Sequence, residues 1–69
     1  MNREESVALL KELSVNQLVS PTVVSIEHRF PDIYQLKIKG DYDLRAVKQF
    51  LKNKFSAEEN KDYLVIFES

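Results

Sequence analysis

The 69-residue chain has no cysteine, no tryptophan, one glycine, two prolines and one histidine. Without cysteine there are no disulfides, no thiolate catalysis and no Cys-based zinc or iron-sulfur site. One glycine excludes a glycine-rich phosphate loop, because both nucleotide motifs need several glycines in register with a following helix. The lone histidine, His28, has no Asp or Glu on its strand face and no nucleophile to serve, which makes it a poor general base. Metal binding there would need further carboxylate ligands, and none is suitably spaced. His28 therefore reads as a structural residue bonded to backbone or to Tyr34.

Charge of either sign is also missing in bulk. Ten basic residues against eleven acidic ones leave a net charge of -1, so no overall field draws nucleic acid or a membrane surface. No apolar run approaches the roughly 20 residues that span a bilayer. The opening MNREESVALLKEL is charged and helical, unlike a signal peptide. These features point to a cytoplasmic protein with no membrane partner. Internal repeats, low-complexity tracts and linkers are absent, so residues 1–69 read as a single domain near the lower size limit for independent folding. Such a chain commonly relies on close packing or self-association.

What is present is an alternating stretch from Thr22 to Lys39, TVVSIEHRFPDIYQLKIK. Val24, Ile26, His28 and Phe30 share one face, and Tyr34, Leu36 and Ile38 repeat the period of two, so the segment predicts a hairpin. A two-residue loop of Pro31 and Asp32 would put Ile26 opposite Lys37 and, as a primed turn, demand a positive φ that proline forbids. The parity instead predicts an odd-numbered loop or a bulge, with Ile26 opposite either Leu36 or Ile38.

Asn2 and Glu5 form a capping-box pair that starts a first helix. Its apolar stripe of Val7, Leu9, Leu10 and Leu13 ends it near Leu13 or Ser14, with Ser14 and Gln17 available to cap a further turn. After Gly40, Asp41 or Asp43 caps a second helix reaching about Phe55, with Leu44, Val47, Phe50, Leu51 and Phe55 on one arc and Arg45, Lys48, Gln49 and Lys52 opposite. Ser56 and Glu59 repeat the capping-box spacing and predict a short helical turn. Tyr63 to Glu68, YLVIFE, reads as a last strand that is apolar on both sides.

The order α-β-β-α-β predicts a small α+β domain: a three-stranded antiparallel sheet, order 2-1-3, with two helices packed on one face. This order resembles part of the type-II KH arrangement. The GXXG loop of that family has no counterpart, since Gly40 lies between a strand and a helix.

The arrangement leaves Val23, Leu64 and Ile66 on the uncovered back of the sheet, where an apolar patch suits a protein partner or a homodimer. A non-catalytic interaction module is the leading expectation. The alternative is a nucleic-acid-binding module, or an acidic-partner site, using Arg45, Lys48 and Lys52 of the second helix. The carboxylates Asp41, Asp43, Glu58, Glu59 and Asp62 read as helix caps and first-turn residues rather than acid-base or metal groups. Tyr34, Tyr63 and Phe30 read as core, with Tyr42 at the surface. No catalytic, cofactor or metal residues are assigned.

Overall fold

The computed structural model describes residues 1–68. Helix α1 spans Arg3–Val15 and begins with the expected capping box. The Glu5 N–H donates to Asn2 Oδ1 at 2.8 Å, and the Asn2 N–H donates to Glu5 Oε1 at 2.9 Å, which satisfies two of the donors a helix start leaves open. The helix stops without glycine. Gln17 N–H donates to Ser14 O and Leu18 N–H to Leu13 O, the paired bonds of a Schellman motif, and Gln17 takes the left-handed position at φ 59°. That reversal replaces the further turn expected from Ser14 and Gln17. Ser6, Leu9 and Leu13 form the buried arc.

A 3-10 turn over Pro21–Val23 leads into β1, Val24–Phe30, and β2, Ile33–Ile38. Their junction corrects the exclusion of a tight turn. Phe30 pairs with Ile33 across the two-residue loop Pro31-Asp32, and a bulge between His28 and Phe30 then resets the register to Ile26 opposite Leu36 and Val24 opposite Ile38. Positive φ falls on Asp32, at 64°, and not on Pro31. A left-handed residue at the second central position with proline at the first is what a type II turn calls for. Of the two solutions that parity allows, an odd-numbered loop or a bulge, the chain takes the bulge, and it does so together with the two-residue loop, which proline forbids only as a primed turn.

Helix α2 spans Leu44–Leu51, with Asp43 as its N-cap, the carboxylate accepting from the Arg45 and Ala46 N–H groups. It ends four residues before the expected Phe55. Lys52 adopts φ 57° and ψ -131°, a backbone that no helix continues through, and residues 52–54 turn the chain. Phe55–Glu59 then forms β3 instead of a helix end and a helical turn, and β4 follows at Leu64–Glu68. Asn60 N–H donates to Tyr63 O at 2.8 Å and closes this second hairpin.

The sheet therefore has four strands, not three, in the order β1-β2-β4-β3 with every neighbouring pair antiparallel. The expected order 2-1-3 is corrected in two ways: β1 is an edge, and the last strand lies against β2. The α2 crossover does make the next strand parallel to β2, but that strand is β3, and β4 folds back between them. The two-sided apolarity of YLVIFE fits its central place. The polar VSIEHRF of β1 fits an edge.

Register decides the faces. Leu36 opposes Ile66 and Ile38 opposes Leu64, so these four side chains share one side of the sheet. Leu9 and Leu13 of α1 and Val47 and Leu51 of α2 join them in one buried cluster. Both helices thus cover the same face, and all four sheet residues are fully buried. No helix among the described residues is long and apolar enough to cross a membrane.

Candidate functional site

The uncovered face is built by the alternate residues. Lys37 opposes Val65 and Ser25, Gln35 opposes Glu27, and Phe67 opposes Ser56; Tyr63 precedes β4 in the same alternation. At the centre Val65 is 7% exposed although no helix covers it. Long side chains shield it. The Arg29 guanidinium lies over the Phe67 ring at 3.9 Å, and Lys37 Nζ lies over the Tyr63 ring at 4.3 Å. Arg29 also donates to Gln35 Oε1 at 3.2 Å, and Lys37 Nζ stands 4.0 Å from Glu27 Oε2.

Each such cation-ring contact contributes about 0.5–1 kcal/mol when exposed. The main consequence is order: two half-buried rings and two cations are held in fixed places on one flat surface. The bulge has a direct part in this, because it sits at Arg29, between His28 and Phe30.

The expected interface residues fall elsewhere. Leu64 and Ile66 are fully buried under the helices, and Val23, in the 3-10 turn, packs against the core. The uncovered face is presented instead by Tyr63, Val65 and Phe67, because the register of β4 against β2 sets Leu64 and Ile66 opposite Ile38 and Leu36 on the helix side. The alternation of YLVIFE carried both sets; only the pairing register assigns them.

The cations divide between the two sides of the molecule. Arg45 and Lys48 are exposed on α2, and Lys52 is exposed at its C-cap, whereas Arg29 and Lys37 belong to the open face. His28 is exposed and its ring stacks on Tyr34 at 4.4 Å between centroids. Phe30, expected in the core, is 60% exposed at the hairpin tip because the bulge turns it outward. Tyr42 is half-buried, and its hydroxyl donates to Glu59 Oε2 at 2.6 Å. That bond and the nearby carboxylate charge hold the phenol above its ordinary pKa.

Of the five carboxylates, Asp43 is the α2 cap and Glu59 is the Tyr42 partner. Glu58 and Glu59 belong to β3 and not to a helical first turn. Among the described residues, no group of three or more His, Asp or Glu side chains converges where a metal ion would sit. Comparison with protein-family models, curated proteins and solved structures finds no match.

Proposed function

We propose that the protein is a non-catalytic interaction module that binds a protein partner, or a second copy of itself, through the uncovered face of its sheet. The observation that carries this reading is the pair of rings, Tyr63 and Phe67, flanking Val65 and roofed by Arg29 and Lys37. Protein interfaces are enriched in aromatic residues and arginine. Side chains already immobilised lose little further freedom on binding. The face is also large enough: the molecule measures 29 × 24 × 24 Å, so one side offers roughly the 800 Å² that each partner of a standard interface contributes. Division of the cations between opposite sides favours a protein over a nucleic acid, which would need them in one tract.

The double substitution Tyr63→Thr, Phe67→Thr removes both rings and keeps strand propensity. The variant is expected to fold, by circular dichroism and cooperative urea unfolding, while losing whatever association the native protein has. That association is read as a concentration-dependent mass in light scattering, or as a partner retained from cell extract. Undiminished association in the variant refutes the proposal, and so does a native protein that stays monomeric and retains nothing.

A further inference from the structure

A second surface, independent of the open face, lies where α2 runs beside β3. The two elements are antiparallel: a turn over residues 52–54 joins the end of α2 to the start of β3, and Tyr42, just ahead of α2, bonds to Glu59 at the far end of β3. Between them is a groove of about 370 Å³ lined by Lys48, Leu51, Lys52, Phe55, Ala57 and Glu58. One wall is a sheet edge, since among the described residues β3 pairs only with β4.

Antiparallel pairing alternates, so every second residue of an edge strand directs its N–H and C=O outward. The Asn60 to Tyr63 bond fixes the phase: Ser56 and Glu58 turn their backbone toward β4, and Phe55, Ala57 and Glu59 turn theirs into the groove. The two edges of the sheet differ. β1 is blunted by its bulge and by charged residues, whereas β3 pairs through all five residues without a register shift, which leaves a straight template for another strand. Ala57, the middle outward residue, is also the smallest, which leaves room beneath α2.

The other wall is basic. Lys48 and Lys52 line it, Arg45 lies one turn earlier, and Glu58, which also borders the groove, pairs across the sheet with Val65. Lys52 holds a φ of 57° and a ψ of -131°, a conformation that glycine adopts more readily than lysine. We propose that this groove receives an extended acidic segment of a partner protein, added to the sheet beside β3. Its main chain pairs with Phe55, Ala57 and Glu59, and its carboxylates meet Lys48 and Lys52. Strand addition takes affinity from the backbone and selectivity from alternate side chains. A second copy fits less well: an antiparallel β3 pair centred on Ala57 sets Lys48 against Lys48 and Arg45 against Lys52 of the facing helix.

The test uses the intact protein, amide-resolved NMR with hydrogen exchange, and three probes: a peptide of alternating valine and glutamate, its valine-lysine counterpart, and a single-stranded oligonucleotide. The acidic peptide is expected to slow exchange of the Phe55, Ala57 and Glu59 amides, with affinity falling about tenfold in Lys48→Gln and again as salt rises. Lys52→Gly separates binding from folding, because it removes a charge and relaxes the backbone together: affinity drops while thermal stability holds or rises. The Tyr63→Thr, Phe67→Thr variant binds the peptide normally. Equal binding of both peptides overturns the proposal. So does lysine perturbation without protection of the β3 amides, preference for the oligonucleotide, or protection that grows with protein concentration alone.

Discussion

The placement of β4 makes a sharp prediction about neighbouring residues. Leu64 is fully buried beneath the helices, so Leu64→Ala removes roughly three methylene equivalents from a packed core, about 2.4 kcal/mol at 0.8 kcal/mol per group. The incompletely collapsed cavity raises the total to about 3–4 kcal/mol, inside the range of measured Leu→Ala changes. A chain of 69 residues has a total stability of roughly 3.5–10 kcal/mol. The substitution therefore removes about three tenths of that stability at least. Phe67→Thr, three residues on and on the opposite face, loses one half-buried ring and one cation contact and costs about 1–2 kcal/mol. Urea unfolding followed by circular dichroism measures both. With a slope near 1 kcal/mol per molar, Leu64→Ala lowers the midpoint by about 3–4 M, where the native protein's stability allows it, and Phe67→Thr lowers it by about 1–2 M. If Phe67→Thr costs more than Leu64→Ala, β4 faces the other way and its register against β2 is wrong.

Three further outcomes follow from local geometry. Gln17 occupies the left-handed position after α1, so Gln17→Gly should raise stability by about 0.5–1 kcal/mol in the same assay; a loss would mean the Schellman turn is not formed. Asp43→Ala removes the α2 cap and should cost about 1 kcal/mol, whereas Asp43→Ser should recover most of it. The Tyr42 phenol is held above its ordinary pKa by Glu59, so the protonated form is favoured in the folded state. This contribution is complete below the unfolded-state value near 10 and is lost as pH rises through the folded-state value. Phenolate absorbance should show one tyrosine titrating late, and Glu59→Gln should return it toward the ordinary value.

Where local chemistry acts alone, residues and structure correspond closely. Asn2 with Glu5 starts α1, Asp43 starts α2, and Val24 to Ile38 forms a hairpin whose bulge follows from parity. Each depends on groups within a few positions of one another, so short-range sterics and hydrogen bonding suffice. The Pro31-Asp32 loop is equally local in origin: a left-handed Asp32 at the second central position admits proline at the first, which a primed turn does not. The failure at β3 is of another kind. Phe55 continues the helical arc of Leu44, Val47 and Leu51, and Ser56 with Glu59 has helix-start spacing, so nothing nearby speaks for a strand. Pairing with β4, from Phe55 opposite Glu68 to Glu59 opposite Leu64, outweighs that local preference.

The candidate surfaces divide along the same line. The chain itself determined that Leu64 and Ile66 share one side and Tyr63, Val65 and Phe67 the other, because a strand alternates regardless of its neighbours. It also determined that Arg45 and Lys48 lie along one arc of α2. Which side of β4 meets the helices, and that α2 overhangs a sheet edge, were decided only when β4 folded back between β2 and β3. A one-residue slip of register exchanges buried and open faces without any change in the local sequence, so long-range pairing is the physical origin of both surfaces.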